Sequence, residues 1–419
     1  MTARPSLTAV AQAAPASLGV PGRANANVSF ATDGGLLVAV WSVSTSTGAT
    51  DIYAAVSRDA GAHFGAPVRV NSTAGDARVN AEQPPRVAVR PRGTATPEIA
   101  VVWTAKAAAG TRLLSAVSVN GGRSFAAATV VPGSDAPGNR GWEALGVGPG
   151  QRLFAVWLDH RDLAAQGTAT PAEHQHTPGM DMTAAAAPAA DGVAQAQRSQ
   201  LYMAALDGAT PPVAVTRGVC YCCKTAVATA GTSALYVAWR HVYPGNMRDI
   251  AFAASRDGGR TFSPPVRVSE DRWQLEGCPD DGPAMGVDGS GRIHLVWPSV
   301  VTDASGPVKA LFYATSADGR AFTPRQRLPT QGQANHPQLS VTREGRLAVG
   351  WDESGAGPRR VVWATSAAPA PGSAPVFERR SALSAPGTYP VLIPAGSDWL
   401  AAWTTGPAAT SSIALATIR

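Results

Sequence analysis

Four cysteines carry the most reactive chemistry in the chain: Cys220, Cys222 and Cys223 in one short run, and Cys278 downstream of it. Clustered cysteines in even number pair into disulfides in an oxidising compartment and suggest a metal or redox site in a reducing one. Thiolates are soft ligands, so the metal reading favours Cu(I) or Zn. In an extended strand, Cys222 and Cys223 would face opposite sides, and the run lacks a two-plus-two C-x-x-C arrangement. Both points weigh against a simple four-cysteine zinc site. A second tract, Glu173-His174-Gln175-His176-Thr177-Pro178-Gly179-Met180-Asp181-Met182, alternates imidazole and thioether groups, a combination that suits both oxidation states of copper. With His241 and His336, the candidate metal set is Cys220, Cys222, Cys223, Cys278, His336, His241, His174, His176, Met180 and Met182.

The elements that must position these groups show as a repeat. Short apolar runs end at Trp41, Trp103, Trp157, Trp239, Trp297, Trp351 and Trp403, mostly some 50–60 residues apart, a period that indicates propeller blades or a solenoid. Each run is rich in Val, Leu and Ala, as a buried strand should be. A second run follows each tryptophan, such as 249–255 and 310–316, and several lead through a polar turn into a third, such as 67–70 and 265–268. Another strand precedes each tryptophan run, as at 86–89 and 338–341. Four strands per unit, A to D from the axis outward, predict an all-β fold. It is a β-propeller of four-stranded blades, seven by this count, with six open if one unit is irregular. The last unit lacks a strand D, and an N-terminal strand near residues 6–11 is expected to close it. On this reading residues 1–419 form one propeller, with 163–199 a mobile insertion loop that carries the His/Met tract.

In such a ring the D-to-A and B-to-C connections share one face. They bring Arg140, Trp142 and Glu143, the cysteine run with Lys224, Cys278 with Asp280 and Asp281, His336 and Tyr389 to one mouth. Asp159, His160, Arg161, Arg240, His241, Asp352 and Glu353 join them from the other set of loops. The polar and sulfur groups therefore collect where a pocket is expected.

Bulk composition narrows the function classes. With 45% hydrophobic and 15% charged residues in 419, the chain is no disordered polymer and can bury a large core. No apolar stretch is long enough for a transmembrane span. The net charge of +6 is spread without runs, which argues against a nucleic-acid partner. Residues 1–20 lack a continuous apolar stretch after a basic start and read as a chain whose signal peptide has been removed, for a periplasmic or secreted protein.

The turns between strands C and D carry a family resemblance. Residues 57–64 (SRDAGAHF) and 255–262 (SRDGGRTF) match Ser-x-Asp-x-Gly-x-x-aromatic; 118–125 (SVNGGRSF) has Asn120 for Asp, and 316–322 (SADGRAF) is one residue short. The chain thus resembles the sialidase-like, Asp-box (BNR) propellers over nearly its whole length. In that family the boxes are structural and lie opposite the ligand face. The run 239–249 and the segment 278–283, with the cysteine run, resemble a cysteine-containing subgroup of exported bacterial members. A sialidase needs an arginine clamp, a Tyr–Glu nucleophile pair and an acid/base carboxylate. Here Arg140, Arg161 and Arg240 are the clamp candidates, Tyr389 the nucleophile and Glu143 its partner. The family's Arg-Ile-Pro motif is absent, and Arg23 near its place stands in Gly-Arg-Ala-Asn.

The resulting expectation is an exported, monomeric and non-catalytic propeller that binds a metal ion, copper, through Cys, His and Met groups at the channel mouth. The alternatives are an exo-sialidase or related glycoside hydrolase with a glycan partner, and a scaffold with structural disulfides for a periplasmic protein partner.

Overall fold

The second strand of every unit carries a buried apolar run because it packs on both faces. Leu153–Asp159 is buried throughout, and Leu37–Ser44 at all but its last residue. Trp41, Trp103, Trp157, Trp239, Trp297 and Trp351 are fully buried, and Trp403 nearly so. The computed structural model describes residues 18–164 and 190–418, apart from 232, 276–278, 280, 305, 356, 370–372 and 381–385.

Among the described residues the strands form seven antiparallel sheets in chain order, six of four strands and a last one of three. In blade 1 the strands Ala24–Thr32, Leu37–Ser44, Thr50–Ser57 and Val68–Arg69 run outward from the axis. The innermost strands of the others are Arg86–Arg92, Arg140–Val147, Ala226–Ala230, Ala284–Val287, Gln333–Val341 and Thr388–Ala395. All seven inner strands line one axial cavity of about 260 Å³. The protein is therefore a seven-bladed β-propeller, and the six-bladed option falls away.

Among the described residues blade 7 has three strands, ending with Ser412–Ile418. Leu18, just ahead of blade 1, bridges Ile413 of that last strand in antiparallel sense, and the Asn25 amide donates to the Ser411 carbonyl at 2.8 Å. Leu18 is buried with Ile413 and Leu415. The two ends of the ring thus meet here; the segment 6–11 expected to close it lies outside the described residues.

The Ser-x-Asp turns lock neighbouring blades together. Ser255 Oγ donates to Asp257 Oδ1 at 2.8 Å and accepts the Gly259 amide at 2.8 Å, while the Thr261 amide reaches Asp257 Oδ1 at 3.0 Å. Ser57, Asp59 and Gly61 repeat this pattern, as do Ser118, Asn120 and Gly122. In the shortened turn Gly319 donates to Ser316. The glycine in each turn has a positive φ and presses on the preceding blade. A Cβ on Gly122 would lie 2.6 Å from Val56, one on Gly319 2.7 Å from Phe252, and one on Gly61 2.5 Å from Leu400 across the ring closure. A side chain there meets both left-handed strain and a filled interface.

Residues Ala190–Arg198 form an α-helix at the end of the expected insertion loop, and the tract 174–182 lies outside the described residues. No helix among the described residues is long and apolar enough to cross a membrane.

Gly319→Ala should lower stability by about 2–4 kcal/mol, the sum of left-handed strain and overpacking. Gly258→Ala has the same sign of φ but nothing within 4 Å and should cost only about 1–2 kcal/mol. Denaturant unfolding of both variants checks this, and equal losses would show that the interblade contact contributes nothing.

Candidate functional site at the channel mouth

Four inner strands bulge at their mouth-side ends, and each bulge places a non-glycine residue in the left-handed region. These are Asn27 (φ 59°), Trp142 (φ 55°), His336 (φ 54°) and Tyr389 (φ 54°). The register of each inner strand breaks there, between Ala26 and Ser29, between Asn335 and Gln338, and between Thr388 and Val391, with the blade 3 break opposite Val156 and Leu158. Such residues cost about 1–3 kcal/mol each and cluster where side chains must be re-aimed.

His336 is the hub of one cluster. Its Nδ1 lies 2.6 Å from Asp352 Oδ2 and its Nε2 3.0 Å from Glu82 Oε1, so both ring nitrogens are taken by carboxylates. The Tyr389 ring stacks on the imidazole with centroids 3.9 Å apart, and its hydroxyl hydrogen-bonds to Glu82. Burial alone would lower the His336 pKa, but the Asp352 and Glu82 charges outweigh it and raise the group to about 9. Burial and the same carboxylates push the Tyr389 phenol well above its usual range. Asp281 completes the cluster. It accepts the His336 amide at 2.8 Å and lies 3.4 Å from Lys309 Nζ. Its own burial would raise its pKa, yet Lys309, His336 and Lys224 hold it down. Lys224, its pKa lowered by burial, donates to the Pro337 carbonyl at 2.7 Å.

The second cluster adjoins the first through Asp281, whose backbone carbonyl accepts from Arg240 Nε at 3.2 Å and whose amide donates to Cys223. Residues 221–223 form a turn instead of a strand, which folds Cys223 back toward Cys220. Their sulfurs are 3.5 Å apart with the Cys223 thiol as donor, and both cysteines are buried and unbonded. Arg248 Nη1 donates to Cys220 Sγ at 3.1 Å. Burial would raise the Cys220 pKa, but the Cys223 thiol, Arg248 and Arg240 bring it down to about 6. Burial and the Cys220 charge push Cys223 well up. Cys220 is thus the acceptor of the pair and Cys223 the donor. Cys222 Sγ lies 3.9 Å from Cys220 Sγ, and the three sulfurs lie within 4.8 Å of one another. Cys222 is already in a disulfide, however, and a disulfide sulfur carries no ligating charge. The thiolate site therefore reduces to Cys220 and Cys223. Ala196 of the helix Ala190–Arg198 and the ring of Trp142 cover this cluster.

The remaining candidates take other places. Arg140 and Arg161 both pair with the buried Asp159, at 3.1 and 2.7 Å. Arg240 spends its guanidinium on the carbonyls of Asp281, Arg248 and Pro298. Glu143, its pKa raised by burial, accepts from Thr104 at 3.0 Å, while Tyr389 meets Glu82. His241 accepts from Trp239 Nε1 at 3.3 Å, and burial lowers its pKa to about 4. Cys278, His174, His176, Met180 and Met182 lie outside the described residues. Glu82, Lys309 and the sulfur-binding role of Arg248 had no sequence signal, because each finds its partner on a distant blade or across a hairpin.

No known family matches the chain, and no curated protein matches it. Solved structures match in fold. A protein of unknown function from Dyadobacter fermentans aligns at 12% identity over 97% of this chain and 98% of its own, with TM-score 0.51. A polysaccharide lyase, an ulvan lyase bound to a saccharide of GlcA and Rha3S, aligns at 9% identity over 96% and 94%, with TM-score 0.56. A Hadza microbial sialidase aligns at 12% identity over 94% of this chain and 66% of its own, with TM-score 0.45. The likeness to the polysaccharide lyase, at this identity, is one of fold.

A raised histidine pKa stabilises the fold below the unfolded value, about 6.5, and that contribution is lost as pH rises through about 9. The thermal midpoint should therefore fall between these pH values, by a free energy on the order of 3 kcal/mol. His336→Asn should flatten that limb of the stability curve; an unchanged slope in the variant would assign the effect elsewhere.

Proposed function

We propose that the protein is an exported binding module that holds a soft metal ion, Cu(I), between Cys220 and Cys223 at the channel mouth. The reading is carried by two reduced sulfurs 3.5 Å apart in a buried turn, one of them held by Arg248. Two thiolates on Cu(I) carry a net single negative charge, which Arg248 and Arg240 offset. The same guanidiniums oppose a divalent ion on so few ligands, and a structural zinc site asks for four. The disulfide at Cys222 supports an oxidising compartment, periplasmic or secreted.

A second reading, a glycan-directed enzyme, is favoured by Tyr389 on Glu82 beside the doubly clamped His336. Tyr389 is the nucleophile candidate, and its carboxylate partner is Glu82. The fold likeness to a polysaccharide lyase makes a glycan partner plausible.

Reduced protein titrated anaerobically with Cu(I) against a chromophoric chelator should take up about one equivalent, as a two-thiolate site requires. Cys223→Ser should abolish that uptake, and unchanged stoichiometry would refute the dithiolate. For the glycan reading, Tyr389→Phe should abolish turnover of a fluorogenic sialoside or of a glucuronate-containing polysaccharide while leaving Cu(I) uptake intact. Wild-type protein inert toward both substrates removes that reading.

A further inference from the structure

We infer that Cys220 and Cys223 are a peroxide-reactive pair that closes into a disulfide and, in closing, releases the ion held between them. The release half rests on the metal reading above; the oxidation half stands on geometry alone.

Three observations support it. First, the two free sulfurs are 3.5 Å apart and are brought together by a turn, so a bond between them needs a short local movement and no change in the ring. Second, their roles are unequal. Cys220 Sγ accepts from the Arg248 guanidinium at 3.1 Å and from the Cys223 thiol, while Cys223 is the proton donor of the pair. Charge pairing of this kind maintains a nucleophilic sulfur, and a neighbouring thiol resolves its oxidised form. Third, Cys220 and Cys223 are each 1% exposed, enclosed by Trp142, Tyr221 and Ala196. That enclosure excludes bulky disulfides and leaves only a small oxidant as a candidate.

The chemistry balances with a small hydroperoxide as the oxidant. The Cys220 thiolate attacks one oxygen of hydrogen peroxide, the O–O bond breaks, and hydroxide leaves, giving a sulfenic acid. Cys223 then gives up its proton and attacks the Cys220 sulfur. The S–O bond breaks, and the departing oxygen leaves as water with that proton. Two electrons pass from the sulfur pair to the peroxide. Both sulfurs lose the charge that binds a cation, so a held Cu(I) has no ligand left.

The test uses metal-free full chain with the Cys222 disulfide left intact, exposed to hydrogen peroxide or, separately, to oxidised glutathione, with thiols counted by alkylation under denaturing conditions. Peroxide should remove two alkylatable thiols with a rate at least about tenfold above that of glutathione disulfide. Peptide mapping should place the new bond between positions 220 and 223. In Cys223→Ser, dimedone should trap a sulfenic acid on Cys220. In Cys220→Ser, the fast reaction should vanish. Oxidised wild type should take up no Cu(I), and reduction should restore uptake. An unchanged thiol count, or equal rates with both oxidants, overturns the inference. Disulfide formation in a protein that never binds Cu(I) would overturn the metal reading and leave the peroxide-reactive pair standing. Undiminished Cu(I) uptake by the oxidised form would overturn the gate.

Discussion

Every blade buries one face against the blade before it and the other against the blade after it, so no sheet completes its core alone. The six tryptophans at zero exposure sit at these shared faces, and the turn glycines set how closely successive sheets approach. Ring closure follows the same rule. Gly61 of the first blade presses on Leu400 of the last, and Leu18 docks on Ile413, so the first and last sheets meet as any other pair does. The cavity on the axis is what remains when seven twisted sheets are held at that spacing.

The mouth of this cavity is where the fold concentrates charge. Glu82 enters from the loop before the second blade and meets His336 of the sixth, while Lys224 of the fourth reaches the Pro337 carbonyl. Charges this deeply buried are tolerated only when paired: these two contacts join different blades, while His336 and Asp352 pair within one blade. The bulges serve the same end. A regular inner strand would alternate its side chains between its two faces, whereas the left-handed turn at His336 and Tyr389 stacks two rings from adjacent blades at the mouth.

Asp281 couples the two chemically distinct halves of the mouth. Its carboxylate faces His336 and Lys309, and its backbone faces Arg240 and Cys223. A change of charge on the sulfur pair is therefore one residue away from the acid–histidine–tyrosine cluster. The arginines that read as candidates for a carboxylate clamp hold the scaffold: Arg140 and Arg161 neutralise Asp159, and Arg240 ties three carbonyls across blades 4 and 5.

The repeat was legible because strand burial is a local property. A buried second strand must be apolar along its length and end in a residue that fills the interblade gap, and each turn must carry its own Ser, Asp and Gly. That was enough for the all-β class and for a count of seven blades with six left open, and it put the run 220–223 and His336 on one face. The sequence could not tell which of those groups would meet. Cys220 and Cys223 converge because residues 221–223 turn; taken as a strand they would diverge, and this depends on backbone angles that one sequence does not reveal. Glu82 joins His336, and Arg248 joins Cys220, through contacts between blades or across a hairpin, where no spacing rule applies. Local periodicity therefore determined the ring and its polarity, while the tertiary structure decided the partners at its mouth, because pairing energies there depend on distances across the axis.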